Sequence, residues 1–226
     1  SLTVQSGIRY NYVTIDADLT ANNSFYIPPF VNASLETSAI TGNLGFSWNP
    51  DSNIIWKLNT TTAFRAPNID DIGKLFDSQN GIVVVPNRNL KPEYAYSVEL
   101  GLSIKFLEHI DLDFSAYYTY LKDALARKPF TVNGQTQILY DNELSEIYAI
   151  QNASKSRIYG FEAGIKVRFS DEFKLTSQYS YVYGVQEDTS GIELPVRHVV
   201  PSFGNTHLIW KRNNLQLDGF ISYNGT

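Results

Sequence analysis

In the stretch YAYSVELGLSIKF, residues 94–106, every second side chain is large and apolar. Tyr94, Tyr96, Val98, Leu100, Leu102, Ile104 and Phe106 oppose Ser97, Glu99, Ser103 and Lys105. Successive side chains of a strand point to opposite faces, so this segment presents one face to an apolar medium and the other to water. The same split recurs in LTVQSGIRYNY, ITGNLGFSW, IDLDFSAYYTY and YGFEAGIKVRF, whereas the helical period is almost absent. About nine such segments are expected, near 2–15, 37–49, 54–66, 94–106, 109–123, 150–169, 173–186, 203–212 and 214–224.

The connections alternate in length. Short ones at 49–53, 107–109, 170–172 and 212–214 are interleaved with long ones near 16–36, 66–93, 124–149 and 187–202. In an up-and-down antiparallel sheet successive connections lie on opposite edges, so the long loops gather on one rim and the tight turns on the other. Outer-membrane barrels show this asymmetry, with apolar-out, polar-in strands of about 10 residues. The fold class expected is therefore all-β, an antiparallel up-and-down transmembrane β-barrel. A soluble β-sandwich would need a second sheet over each apolar face and would not sort its loops by length. Asn133-Gly134 is a two-residue hairpin signal inside the third long connection.

Composition narrows the function. The net charge of −5 and pI of about 5.2 provide no positive field for nucleic acid. With no Cys there are no disulfides, thiolate metal sites or Cys nucleophiles. The 15 Tyr and 13 Phe suit a boundary between water and lipid. No apolar run reaches the roughly 18 residues of a helical span. The three histidines, His109, His198 and His207, are dispersed, and the pairs Asp70/Asp71 and Asp111/Asp113 read as loop and lumen charges. Catalysis, a resident cofactor and a resident metal are not expected. Asp16, Asp18, Thr20, Asn22 and Ser24 have the spacing of a calcium loop, but Ala21 and Ile27 replace its Gly and bidentate Glu.

Four strings in order, AFRAPNIDDI, NRNLKPEYAYSVELGL, SRIYGFEAGIKV and GIELPVRHVVPSFGNTHLIW, resemble the barrel domain of TonB-dependent outer-membrane receptors. The family's FRAP segment matches Phe64 to Pro67 and its NPNL-x-PE segment matches Asn87 to Glu93, with Arg88 in place of Pro. The resemblance implies a barrel of about 22 strands around a plug, of which residues 1–226 would be one part. It also implies a bacterial outer-membrane location, TonB as the energy-supplying partner acting through the plug, and uptake of a scarce large nutrient such as a ferric siderophore or a cobalamin. No plug segment precedes Ser1 and no terminal strand follows Thr226, so the chain reads as a piece of a longer precursor. The rival from another class is a passive porin or structural barrel.

On this reading Phe64 joins an aromatic girdle on the lipid side, Arg65 points into the lumen, and Pro67 ends the strand at the membrane surface. The loop behind it would roof a vestibule. Candidate ligand contacts are Phe25, Tyr26, Phe30, Phe76 and Tyr140, rings that serve either loop packing or the ligand, together with Arg65, Asn87, Arg88 and His198. Haem receptors of the family are recognised by a His between the FRAP and NPNL segments. The intervening NIDDIGKLFDSQNGIVVV contains no His, Cys, Met or Tyr, which favours a metal chelate or cobalamin as ligand.

Overall fold

The computed structural model describes residues 1–18, 32–73, 75–187, 192–196 and 202–225. Nine long strands form a continuous antiparallel meander: β1 (Leu2–Asp18), β2 (Asn32–Trp48), β3 (Ile54–Arg65), β6 (Glu93–Phe106), β7 (Ile110–Pro129), β9 (Glu143–Arg168), β10 (Phe173–Glu187), β12 (Ser202–Arg212) and β13 (Leu215–Asn224). The smaller strands β4 (Phe76–Gln79), β5 (Ile82–Val85), β8 (Gln137–Tyr140) and β11 (Glu193–Pro195), with the single-turn helix α1 (Ile69–Gly73), fill the connections. Among the described residues no helix is long and apolar enough to cross a membrane.

The alternation seen in the sequence sorts side chains onto two faces. One face carries Leu2, Val4, Ile8, Ile40, Leu100, Leu112, Phe114 and Ile165, all exposed; Ile8 stands 87% open and Ile40 70%. No second sheet covers them among the described residues, which removes the β-sandwich. The lipid bilayer is what this face requires. All three Trp belong to one end of it: Trp48 pairs with Trp56, and Trp210 packs on Phe173 beside the short turns. Tyrosines occupy the other end, with Tyr94, Tyr96, Tyr118, Tyr120, Tyr159 and Tyr183 on neighbouring strands. From Phe106 to Tyr96 the strand advances about 33 Å, or about 25 Å along the normal at a tilt near 40°, the height of an outer-membrane apolar band.

The strands on the long-loop side run farther than the alternation predicts. β1 and β2 stay paired to Asp18↔Asn32, and β7 and β9 to Pro129↔Tyr148. Their period-two signal fades there because both faces have left the bilayer. Residues 124–149, expected as loop, are mostly strand: β8 continues along β9 where β7 ends, and Asn133-Gly134 turns a tight hairpin closed by Val132 and Gln135. Asn133 and Gly134 take the positive φ values of 52° and 80° that such a turn needs. One pairing departs from the antiparallel expectation. Above Lys155, where β10 no longer accompanies β9, β5 takes that edge and runs parallel to it, Val83↔Ile147 and Val85↔Ala149.

Candidate functional site at the external mouth

The FRAP and NLKPE segments meet at the rim. Arg65 ends β3 and Glu93 opens β6, and the two are register partners. The Arg65 guanidinium donates to Glu93 Oε2 at 3.0 Å and to Asp71 Oδ2 at 2.7 Å. Asp71 also belongs to a reciprocal cap of α1: Asn68 Oδ1 accepts from Asp71 N at 2.9 Å, while Asp71 Oδ2 accepts from Asn68 N at 2.9 Å. Pro67 and Ile72, on either side of this cap, are fully buried. Phe64 lies on the opposite face, its ring 6.3 Å from Tyr94, which stacks in turn on Tyr96. Phe64 and Arg65 thus take opposite faces of the sheet, as the alternation requires.

The return of the chain is held from β9. Asn87 is buried; it donates from Nδ2 to Ile150 O at 2.8 Å and accepts from Asn89 N at 3.1 Å. Asn152 donates to Lys91 O at 2.7 Å and Asp123 O at 2.8 Å, and accepts from Lys91 N at 2.7 Å. Glu93 Oε1 accepts from Leu125 N at 2.5 Å. Two small cores lie under these bonds. Ile72 and Leu90 pack against Ile15 and Leu35 of the β1–β2 extension and against Leu125 and Ile150 of the β7–β9 extension. Val83, Val85, Ile147, Ala149 and Val132 form the other, with Phe130, Ile138 and Tyr140 packed on it. The loop after Pro67 is thus a saddle fixed between two projecting hairpins.

The candidate contacts separate accordingly. Phe25, Tyr26, Phe30 and His198 lie outside the described residues. Arg65 is held by two carboxylates with its side chain 48% exposed. Phe76 pairs with Val84 on the face of the β4–β5 hairpin away from Val83 and Val85. Asn87 is inside the saddle, whereas Arg88 is exposed on it. Tyr140 lines a polar recess of about 300 Å³ at the outermost tip, with Asn80, Gly81, Asp141, Glu143 and Ser145.

Below the mouth, the wet face of the sheet carries cross-strand charge pairs. Arg168 donates to both Asp111 oxygens at 3.0 and 3.4 Å, Lys166 lies 3.7 Å from the same carboxylate, and Ser103 donates to Asp113 at 2.6 Å. A recess of about 330 Å³ is lined by Lys57, Glu99, Asp113, Glu162, Gln178 and Asn205. Ser180 Oγ, buried beside it, has no hydrogen-bond partner among the described residues. His207 sits on this face too, 3.0 Å from Asp218 and stacked on Phe220, while His109 lies in a short turn at the far rim. No cluster suited to a metal ion occurs among the described residues. The sequence reading missed Asn152 and Glu93; the PE of the NLKPE segment was the signal for the second, and the first had none.

A family model described as the TonB dependent receptor-like β-barrel matches residues 1–225. An iron-regulated outer membrane virulence protein of Vibrio cholerae is 24% identical over 168 residues, 73% of this chain and 25% of its own length. The chain thus spans about a quarter of that relative. Among solved structures the copper transporter OprC superposes with a TM-score of 0.72 at 14% identity, over 97% of this chain and 32% of the transporter. A hemophore receptor HasR of Serratia marcescens, in complex with its hemophore and heme, gives 0.71 at 16% identity, over 98% of this chain and 40% of the receptor. These likenesses establish the fold, and the apolar band with its two aromatic girdles establishes the outer membrane as its setting. The chain belongs to the TonB-dependent receptor β-barrel family.

Proposed function

We propose that these residues form part of the wall and the external mouth of a receptor that captures a scarce, bulky nutrient. The ligand class is a metal chelate such as a ferric siderophore, or a cobalamin, carried inward with energy supplied by TonB through a plug. The observation that carries this reading is the mouth itself: strands prolonged far beyond the tyrosine girdle, with a saddle bonded between them over a polar lumen face. A passive pore has no need of such a structure. The name of the Vibrio relative ties it to iron. Tyr140 and Arg88 are the described side chains best placed to meet a ligand from outside, and the sequence adds Phe25, Tyr26, Phe30, Phe76 and His198 as candidate contacts. Arg65 and Asn87 serve it by fixing its floor. In the lumen, Glu99, Asp113 and Glu162 face the plug.

The test is uptake by cells that carry the full-length receptor as their sole route for each of a panel of ferric chelates and cobalamin. Accumulation of one compound that stops when TonB is deleted is the expected result, and accumulation that persists without TonB indicates a passive pore. A haemin titration of the purified receptor separates the ligand classes. Residues 68–86 offer no axial ligand, so no ligation shift is expected, and a shift abolished by His198→Ala would replace the chelate with haem.

A further inference from the structure

The β2–β3 ladder climbs from Trp48↔Trp56 to Asn43↔Thr61 and stops. Above that point β2 continues with β1 and β3 continues with β6, so the wall forks. Thr62 ties the base of the fork: its Oγ1 accepts from Gly42 N at 2.8 Å and lies 3.3 Å from Gly42 O. On the lipid-facing side the fork opens into a groove of about 890 Å³. Its floor is made of small residues, Ser6, Gly42, Thr60 and Thr62, and its walls are Ile8 and Leu44 on one side and Tyr96, Val98, Tyr118 and Tyr120 on the other.

The height of the groove identifies what can enter it. Tyr96, Tyr118 and Tyr120 belong to the external girdle, so the groove runs from the headgroup level inward, into the acyl layer of the outer leaflet. A water-soluble ligand would have to enter hydrocarbon to reach Leu44 and Val98. Immediately outside the groove stands Lys122, register partner of Tyr94 and on the same face as Tyr120. Its neighbour Asp123 is 4.0 Å away with both side chains well exposed, an ion pair of little strength. Of the other cations near this height, Arg157 is held by Glu193 and Lys155 faces Glu187 across β10. A surface that is apolar and ring-lined below and cationic above is complementary to an anionic headgroup on hydrocarbon chains.

We infer that the β2–β3 fork is a lipid-binding site that holds the acyl chains of a phosphorylated outer-leaflet lipid against Ile8, Leu44, Val98 and Tyr118, with Lys122 on its phosphate.

Native mass spectrometry of the detergent-purified full-length receptor tests this with three probes: bis-phosphorylated lipid A, the same lipid dephosphorylated, and inorganic phosphate. Wild-type protein is expected to retain the phosphorylated lipid. Lys122→Gln should lower that retention about fivefold, the effect of about 1 kcal/mol per basic side chain, without changing retention of the dephosphorylated lipid. Thr60→Trp, which fills the floor, should lower both. Heat-dependent gel mobility confirms folding, and Val98→Trp serves if Thr60→Trp does not fold. Equal retention in all variants means ordinary annular lipid and overturns the site. Binding of inorganic phosphate with no preference for lipid, or a co-purifying protein that displaces lipid from wild type but not from Thr60→Trp, overturns it equally.

Discussion

Asn152 makes a bidentate amide pair with the backbone of Lys91 and a third bond to Asp123 O. It therefore replaces a strand partner for a segment that has none. In the sequence it sits in an Asn-x-Ser triplet and gives no sign of this role, because its partners are 61 and 29 positions away. Arg65 was legible as a lumen-side residue from alternation alone, but its two carboxylates were not, since Asp71 reaches it through the cap of α1. These bonds hold a loop, so their loss should loosen the saddle without unfolding the wall. Asn152→Ala removes three bonds worth about 1 kcal/mol each at most and should raise the rate of limited proteolysis between residues 66 and 92. Arg65→Lys should do the same, because an ammonium lacks the planar fork that spans Asp71 and Glu93. Unchanged cleavage in both variants would mean that the cores around Ile72 and Val83 suffice.

Elements within the bilayer were the most legible, for a physical reason: hydrocarbon on one side and water on the other impose period two on every strand that crosses. The starts and ends of β3, β6, β10, β12 and β13 accordingly fall within a few residues of the sequence reading. Above the tyrosines the medium is water on both sides, and the extensions of β1, β2, β7 and β9 lose the signal. β7 and β9 also shift register between Leu121 and Leu125, where Asp123 takes a φ of 57°. Such a bulge changes which face each side chain takes and hides the strand from any alternation count. The parallel pairing of β5 with β9 had no local signature, as it depends on where β10 stops. The two faces of the crossing part differ measurably. Leu100→Arg, on the lipid face, should cost about 2 to 4 kcal/mol in a membrane-refolding titration, and Ser103→Arg on the wet face far less. Equal costs would mean that both faces are buried in protein.

At the scale of the molecule, the nine-strand meander ends at β1 and β13, each with one edge that pairs with no strand described here. Open edges do not persist in hydrocarbon, so the working form must supply partners for both, and we propose that the remaining strands of the barrel do so. Closing the sheet places every tight turn on one rim and every long connection on the other. The wet recess around Glu99 and Glu162 then lies inside, and the groove above Leu44 outside. The inside, outside, upper and lower surfaces thus all follow from one alternation and one asymmetry of loop length. Sidedness is the part of this picture most open to disproof, and residues 1–226 contain no Cys to compete for the label once any Cys elsewhere in the receptor is replaced. In the full-length receptor on intact cells, a membrane-impermeant thiol reagent should label a single Cys placed at Gly134 or Asn142, at the tips of the projecting hairpins. It should spare one at Ser52 or Asp171, in the short turns, until the outer membrane is permeabilised. Labelling of Ser52→Cys and Asp171→Cys on intact cells, with Gly134→Cys protected, would invert the barrel and put the saddle and its Tyr140 recess on the periplasmic side, where no nutrient arrives from outside.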